Sequence, residues 1–328
     1  MGANPVTIAA ASLGAAGMNA FPTRVAASFI KAQRSLGKIV LGCDTQLASE
    51  LASGPGQTMN VIRASAPNVA PADLVDGNNM VLNDGVEVAS ALTLNHYATT
   101  HIGWTDVAKT FANAAAFDAL IAGRTASLLN SIEHTVAAYA ATVFTTNRVG
   151  NFHTAFNYTL ANTADRLLID NRVPQDGNIS GYITPAATED ALNDATIRAA
   201  FNQGLMASAA PSVTGMAVGA TKERKRLDIT GEPWYTCNEI DQGAAGTEDG
   251  ALNLLFHKQA LIFGSRPVAE AFPGLGGVLF SHQEVDGMQL NIIIGRDPQY
   301  LGVRVTLTVL YGVIVGREVW GCVVSTLR

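Results

Sequence analysis

Charged residues are scarce in this sequence, as are aromatic residues and cysteine. Only 15% of the 328 residues carry a charge, where about a quarter is usual in globular proteins. A solitary monomer of this composition would have too few charges for an ordinary protein surface, so we expect extra surface to be buried between subunits. Hydrophobic residues make up 48% of the chain, which is long enough for one elaborated domain or two and for a sizeable core.

The few cysteines and histidines fit no disulfide or metal pattern. Cys43, Cys237 and Cys322 are far apart, odd in number and outside any Cys-x-x-Cys pair, which argues against a disulfide scaffold and against a zinc site. The histidines stand in no metal-ligand spacing; they are His96, His101, His134, His153, His257 and His282. Alternation along a strand puts His96 and His101 on opposite faces, so the sequence predicts no metal site and no cofactor.

Basic tracts and long apolar runs are also missing. The net charge is −6, and the one dense run of charges, residues 222–226, fits a solvated turn better than a binding patch. High-affinity binding of nucleic acid is therefore not expected, although a protein can enclose nucleic acid without gripping it. No apolar run of about 18 residues occurs, and the apolar N-terminus lacks the basic start of a signal peptide, so we expect a cytosolic product without membrane contact.

Familiar catalytic motifs are absent as well. The sequence has no Gly-x-Ser-x-Gly elbow, and residues 54–58 resemble a phosphate-binding loop only superficially because Lys is missing before Thr58. Glu133 and His134 are adjacent in a helical segment, either as a buried acid/base pair or, as we favour, on a solvated helix face. The sequence thus predicts no catalytic residue, no cofactor-binding residue and no enzyme activity.

Residues 113–147 form the most regular pattern in the chain. Large apolar residues recur there at the spacing of one helix face: Phe117, Ile121, Leu128, Ile132, Val136, Tyr139 and Val143. Asn113 is a suitable cap for the start of a helix, and Gly150 lies just past the end. Thirty residues at about 1.5 Å each predict a helix of roughly 45 Å, long enough to span a domain.

Two limbs of a long β-hairpin precede this helix. The outgoing limb follows a Gly-Pro-Gly turn at 54–56 and includes Val61, and the return limb alternates apolar and polar residues from Val86 to Trp104. Full extension of the return limb would reach about 60 Å. Two interpretations are open: an arm that packs on a neighbouring copy, or a long strand bent across one sheet. Arg63 either pairs with acidic residues of a neighbour or, as we favour, is an exposed strand charge.

The remaining segments give shorter signals. Helices are predicted at residues 23–36, at 105–111 and from Pro185 toward Phe201, whereas the passage from 148 to 170 is polar and turn-rich. Strands are predicted at residues 179–184, 234–237, 252–263, 290–294, 301–315 and 319–324. Residues 1–20 are expected to form a sparse arm, and residues 203–220 a loop or weak strand. No internal repeat or flexible linker divides the chain, so any second domain is inserted within the first.

The order of these parts resembles the major capsid proteins of tailed bacteriophages, which have the Hong Kong 97-type fold, and among them the coat proteins of short-tailed phages. The extended E-loop of that fold resembles GQTMNVIR and LTLNHYATTHIGWTDV, and its spine helix resembles AAFDALIAGRTASLLNSIEHTVAAYA. Its axial domain is similar to RVPQDGNISGYITPAATEDAL and NLLFHKQALIFGSRPV, and its closing strands to RVTLTVLYGVIVGREVWGCVVST. The resemblance covers nearly the whole chain and lies in the order of loose motifs.

The resemblance implies an α+β fold of four parts. These are an N-terminal arm with a short helix (1–45), an extended β-hairpin E-loop (46–104), a peripheral domain with the spine helix (105–165 and 280–315) and an axial domain (166–279 and 316–328). It also implies a structural protein whose copies form pentamers and hexamers and close into the icosahedral head around double-stranded DNA. The virion is the implied location, after assembly in the host cytoplasm. The acidic balance agrees, because it would not trap packaged DNA on the inner wall.

The implied partners are further copies of the chain, a scaffolding protein and a portal, with a decoration protein as a further candidate. The sequence shows no large N-terminal region to act as a built-in scaffold, so we expect a separate assembly factor, and no Lys/Asn arrangement predicts a covalent cross-link. Two other functions stay open. An encapsulin, a cargo-holding compartment of similar fold, belongs to the same structural class, and an oligomeric α/β enzyme with a polar pocket belongs to another.

Overall fold

The computed structural model describes most of the chain in separate stretches. They are residue 25 and residues 27–29, 39–47, 57–64, 87–105, 114–197, 226–240, 250–268, 278–285, 287–297 and 302–327. Of the predicted helix at 23–36, residues 25 and 27–29 are described; they are helical, and Val25 and Phe29 are buried. The predicted helix at 105–111 beyond its first residue, the arm at 1–20 and the segments 203–220 and 222–225 lie outside the described residues.

Strands dominate the described part of the chain. In chain order they are β1 (Asp44–Leu47), β2 (Gln57–Ala64), β3 (Glu87–Leu94), β4 (His96–Thr105), β5 (Arg148–Gly150), β6 (Ile179–Ile183), β7 (Arg226–Ile229), β8 (Glu232–Thr236), β9 (Gly250–His257), β10 (Leu261–Arg266), β11 (Val278–Val285), β12 (Met288–Asp297), β13 (Gly302–Val315) and β14 (Gly321–Leu327). The longer helices are α1 (Ala114–Val143), α2 (Tyr158–Asp170) and α3 (Pro185–Asn193). The predicted strands near 179, 234, 290, 301 and 319 are all present, with shifts of a few residues at their ends.

The strands form two large sheets and one ribbon. Sheet I has the order β1-β10-β13-β12-β11, with β4 also paired to β13, and sheet II has the order β5-β14-β9-β6-β8-β7. The ribbon consists of β2 and β3, paired antiparallel from Gln57↔Leu94 to Ala64↔Glu87. The chain crosses between the two large sheets several times, so neither sheet is a contiguous stretch of sequence.

The long strand β13 organises sheet I. Residues 302–309 pair with β12 along one edge and with β4 along the other. Because strand side chains alternate between faces, Leu307 and Val309 lie in the main core while Leu310 lies in a small separate cluster on the opposite face. The predicted alternation of residues 301–315 thus belongs to a strand that is covered on both faces along part of its length.

The helix α1 confirms the prediction made for residues 113–147. Its thirty residues bury one face, which includes Ile121, Leu128, Ile132 and Val136. That face packs on β4 and β13 of sheet I and on β9 of sheet II. A single rigid element therefore joins the two sheets along its length.

The helix α2 corrects the prediction of a polar, turn-rich passage up to Asp170. It begins after Asn157, whose side-chain oxygen accepts the N–H of Leu160 at 3.0 Å, as an N-cap does. Its buried face consists of Ala161, Ala164 and Leu168, mostly alanines, so the helical spacing carried little hydrophobic signal. The N-cap at Asn157 and packing against β14 stabilise the helix.

Two predicted segments have different ends from those expected. The helix that begins at Pro185, capped by Thr184 as its sequence suggests, is interrupted after Asn193, and residues 195–197 are helical again. The interruption lies at Asp194, which is extended and whose carboxylate accepts the N–H groups of Thr196 and Ile197. The predicted strand at 252–263 is two strands, β9 and β10, which belong to different sheets and are joined by a 3₁₀ turn at Lys258–Ala260.

Sheet membership divides the chain at different residues from the four predicted parts. β4, assigned from sequence to the E-loop, and β10, assigned to the axial domain, both belong to sheet I, whereas β5, assigned to the peripheral domain, belongs to sheet II. Long-range backbone pairing causes the difference: β4 pairs with β13, and β5 pairs in parallel with β14. The residue boundaries of the four parts stay a prediction.

Candidate assembly surfaces

The described part of the hairpin packs on its own subunit. Leu92 and Leu94 of β3 are fully buried, and with Val61 of β2 they form a cluster with Ile262 of β10 and Leu310 of β13. This cluster lies on the face of sheet I opposite the main core. The ribbon is therefore anchored by a few apolar side chains on one face of sheet I.

A glycine in β13 allows this anchoring. A Cβ atom added at Gly312 would overlap the carbonyl oxygen of Thr93 in β3. The backbone of the hairpin thus lies directly over the backbone of sheet I at this point, which only a residue without a side chain permits.

The return limb is one continuous extended segment in sequence but two strands in space. It changes partner at Asn95: β3 pairs with β2 in the ribbon, and β4 pairs with β13 in sheet I. The described residues do not form a single strand bent across one sheet, since the limb is divided between the ribbon and sheet I. The tip at 65–86 lies outside the described residues, so its packing on a neighbouring copy stays a prediction; the side chain of Arg63 lies outside them too.

The margins of sheet I are candidate contact surfaces. Among the described strands, β4 pairs only with β13 and β11 only with β12. Tyr97 of β4 is 42% exposed, and alternate side chains of β4 and β11 face solvent in this subunit. β4 has no Lys, Asp, Glu or Pro among its ten residues, and these are the residue types that commonly protect an edge from pairing with another chain.

The histidines lie apart from one another in the structure. The His96 ring stacks on Tyr311 at 5.1 Å, whereas His101 Nδ1 lies 3.0 Å from the hydroxyl of Thr306 on the other face of sheet I. His134 and His153 are exposed, and His282 contacts Asn291. Within the described residues, no three His, Cys, Asp or Glu side chains come close enough together to hold a metal ion.

His257 is the exception, because its ring is buried. The N–H of Gln259 donates to Nδ1 at 3.2 Å, so Nε2 carries the proton and donates to the carboxylate of Asp176 at 3.1 Å. The ring also meets Trp320 edge-on at 5.0 Å between centroids. Hydrogen bonds from Asn178, and then from His257, lower the pKa of Asp176. This group ties the loop before β6 to the end of β9.

Glu133 contradicts the solvated helix face favoured from sequence. It is fully buried on α1, and its carboxylate accepts the backbone N–H groups of Ile39 at 2.9 Å and Val40 at 3.2 Å. His134, the next residue, is exposed, with Nδ1 lying 3.3 Å from the carbonyl oxygen of Glu239. The two residues therefore do not act as a buried acid/base pair either, since they point to different sides of the helix.

Two carboxyl groups beside sheet II are perturbed. Burial, and secondarily the negative charges of Asp165 and Asp176, raise the pKa of Glu232 on β8 to about 6. Burial also raises the pKa of Asp165 on α2. Such shifts occur at catalytic sites, yet they also follow from simple burial of an acid, which is the first cause here for both groups.

No pattern in the sequence indicated the junction where the chain crosses between the sheets. The connection from β13 to β14 lies against the one from β9 to β10: Gly316 and Arg317 donate their N–H groups to Ala260, at 2.7 and 3.2 Å. Asn147, just after α1, donates its side-chain amide to the carbonyls of Val319 and Gly321 at 3.0 and 3.1 Å. Three separate crossings are thus bonded together, and only the tertiary structure brings them into contact.

Comparison by sequence finds no similar protein for this chain, whereas comparison by structure does. No family model matches the chain, and no curated protein matches its sequence. Solved structures do match over nearly its whole length. The chain has the Hong Kong 97-type fold. In the terms of that fold, α1 is the spine helix and the β2–β3 ribbon belongs to the E-loop.

Three solved structures illustrate the match. The capsid of cyanophage P-SCSP1u is similar with a TM-score of 0.51 and 12% identity, covering 87% of this chain and 86% of that one. The capsid of Ralstonia phage GP4 is similar with a TM-score of 0.51 and 10% identity, covering 90% of both chains. A structure from Mycobacterium phage Che8 has a TM-score of 0.50 and 13% identity, covering 86% of this chain and 94% of that one. At such low identity the Hong Kong 97-type fold is what the likeness establishes.

Among the described residues, no helix combines the length and the apolar character needed to span a membrane. One surface cavity of about 320 Å³ lies at the end of the spine helix, lined by Ala141, Thr142, Thr145, Arg148 and Leu252. Its lining provides two threonine hydroxyls and one guanidinium group, but no His, Asp, Glu, Lys or Cys that could act as a general base.

Proposed function

We propose that the chain is the major capsid protein of a tailed phage, a structural subunit that assembles as pentamers and hexamers into an icosahedral head around double-stranded DNA. The observation that carries the proposal is the extent of the structural match. It covers 86–90% of this chain and 86–94% of the three phage proteins, so the whole subunit is alike and not merely a common substructure.

The chemistry of the described residues supports a structural role. Several buried polar side chains bind backbone groups or one another, as Asn147 does at the crossings and as Asn253 does with Thr326 at 2.8 Å. The scarce charges agree with extra surface buried between copies. The proposal includes a scaffolding protein and a portal as partners, a decoration protein as a further candidate, and the virion as location after assembly in the host cytoplasm. Double-stranded DNA would be enclosed without sequence-specific contacts, because the net charge is −6.

Electron microscopy of negatively stained particles tests the proposal. The chain would be expressed alone and together with the neighbouring genes of its genome. Closed shells or polyhead tubes of hundreds of subunits are expected in at least one preparation. Small uniform oligomers in both would overturn the proposal and favour the oligomeric enzyme, whereas shells that co-purify with an enzyme cargo would favour an encapsulin.

A deletion tests the role of the hairpin tip. Removing residues 68–79 should leave the secondary structure and the melting temperature of the subunit nearly unchanged and should prevent shell closure. A control variant replaces the same residues by a Gly/Ser segment of equal length, which keeps the reach of the hairpin but not its side chains. Shells of normal size from the deletion would contradict an assembly role for the tip.

A further inference from the structure

Residues 39–47, which we call the N-terminal segment, are held at one point by a distant side chain. The segment opens with a 3₁₀ turn at Val40–Gly42 and continues into β1. The first N–H groups of such a turn have no partner within it, and Ile39 at its start supplies no side-chain cap. Glu133, 94 residues along the chain from Ile39, supplies both acceptors: Oε2 binds the N–H of Ile39 and Oε1 the N–H of Val40.

The carboxylate of Glu133 is well suited to bind two backbone N–H groups. An ionised carboxylate has two acceptor oxygens and no donor, and here each oxygen receives one N–H. Hydrogen bonds to a charged acceptor are about twice as strong as neutral ones. Burying a carboxylate is costly unless it is bonded, so Glu133 is a poor choice for filling space in the core and a good one for binding two backbone donors.

The same segment contacts both sheets. Gly42 lies under the phenol ring of Tyr182 in β6 of sheet II, where a Cβ would overlap the hydroxyl. β1 pairs in parallel with β10 of sheet I, from Asp44↔Ile262 to Leu47↔Ser265. The thiol of Cys43, also buried, donates to the carbonyl of Ile39 at 3.2 Å. The segment therefore bridges the spine helix, sheet I and sheet II within nine residues.

The position of this segment limits where the hairpin can begin. The ribbon strand β2 starts at Gln57, ten residues after Leu47. Ten residues span at most about 33–36 Å, so the fixed end of β1 limits where the outgoing limb of the hairpin can start. The returning limb is fixed by the pairing of β4 with β13.

We propose that Glu133 is a positioning residue that holds the N-terminal segment across the spine helix and both sheets, and so limits where the outgoing limb of the E-loop can begin. The consequence for assembly rests on the proposed capsid function. The local attachment does not, because it is a property of the subunit alone.

Hydrogen exchange measured by mass spectrometry on the full chain tests the attachment. The variants are Glu133→Met, which keeps the volume and removes both acceptors, and Glu133→Gln, which keeps one acceptor. The control is Thr125→Val on the same buried face of α1, since the Thr125 hydroxyl donates to Ile121 and Ala122 of its own helix. Losing hydrogen bonds to a charged group should speed exchange at residues 39–47 by about tenfold or more in the Met variant.

The expected order separates an acceptor role from simple packing. If Glu133 acts by accepting the two N–H groups, exchange at residues 39–47 rises in the order wild type, Gln, Met, while β9 in sheet II and the Thr125→Val variant remain as in the wild type. If Glu133 only fills space, Met behaves like the wild type, and the proposal is overturned. Equal acceleration throughout the chain in the Met variant would also overturn it, because the effect would then be global destabilisation.

Assembly is the second readout. The Met variant should remain folded and yield fewer closed shells, or aberrant ones, under conditions in which the wild type and Thr125→Val assemble. Normal shells from a variant whose N-terminal segment exchanges rapidly would refute the link to assembly. If the wild type forms no shells in any preparation, the proposed function fails while the exchange result still decides the attachment.

Discussion

The central strands β9 and β14 of sheet II are covered on both faces by side chains of their own subunit, whereas sheet I carries a hairpin on part of one face and exposed side chains along its margins. Every residue of β9 at the centre of sheet II is buried. Aromatic rings close around it: Tyr182 stacks on Phe256 at 5.2 Å, and Phe156 meets Trp234 edge-on at 5.4 Å. In sheet I, by contrast, β4 and β11 alternate between more and less exposed side chains.

Glycines show the same contrast. A Cβ at Gly181 in sheet II would overlap the indole ring of Trp234, which is a fixed part of the core. A Cβ at Gly312 in sheet I would overlap the backbone of the hairpin. Side chains of the core thus pack directly against the backbone of sheet II. In sheet I the hairpin takes that place, and it is anchored only through a small apolar cluster. In a subunit proposed to pack against its copies, sheet I and its hairpin are the region where a neighbour has surface to bind.

The largest effect is expected from Trp234→Ala in sheet II. The side chain is fully buried, and such a truncation lowers the free energy of unfolding by about 3–5 kcal/mol. Urea denaturation followed by circular dichroism measures the change. Val319→Ala, at a 42% exposed position, is the control and should be nearly neutral. A loss below about 1 kcal/mol for Trp234→Ala would show that sheet II is not the more tightly packed region.

A matched pair of leucines tests the contrast directly. Leu254 in β9 and Leu92 in β3 are both fully buried, so the same change to alanine removes the same atoms. Leu254→Ala should lower the global free energy of unfolding by about 2–5 kcal/mol. Leu92→Ala should mainly detach the hairpin, which appears as faster hydrogen exchange in β2 and β3 with a smaller global change. Equal global losses would mean that the hairpin unfolds together with the sheets.

Gly312→Ala should shift the hairpin locally. The new methyl group meets the carbonyl of Thr93, and overpacking of this kind costs about 1–3 kcal/mol. Because the ribbon can move away while β13 keeps its other neighbours, limited proteolysis should show earlier cleavage near β3. Gly103→Ala in β4 is the control, since nothing lies within 4 Å of its added Cβ. Unchanged cleavage in Gly312→Ala would argue against close docking of the hairpin.

The smallest effect concerns the pH dependence of sheet II. The pKa of Glu232 is raised from 4.5 to about 6, by burial first and by Asp165 and Asp176 second. The folded state therefore holds this proton more tightly than the unfolded chain, and the associated stability is complete below pH 4.5 and lost as pH rises through about 6. Glu232→Gln should reduce the fall in melting temperature across this window. Glu189→Gln, at an exposed position of α3, is the control and should show the same change of melting temperature with pH as the wild type. If Glu232→Gln also shows the wild-type change, the raised pKa of Glu232 is not its cause.

Periodicity in the sequence was enough to predict the strongest elements. The apolar stripe from Phe117 to Val143 predicted α1, and the alternation after residue 301 predicted β13, because each pattern indicates which face of a helix or strand avoids water. The order of such elements also suggested the fold. The helix α2 was not predicted from the sequence because alanines form most of its buried face.

The sequence by itself determined the long spine helix, most strands and the absence of familiar catalytic and metal motifs, since these depend on residue types at short spacing. Only the tertiary structure decided that β9 and β10 join different sheets, that the hairpin lies on Gly312, and that Glu133 is buried against Ile39 and Val40. The physical reason is the same in each case. A pattern shows that a face is apolar or that a side chain can accept a hydrogen bond, but the partner is supplied by a segment tens or hundreds of residues away.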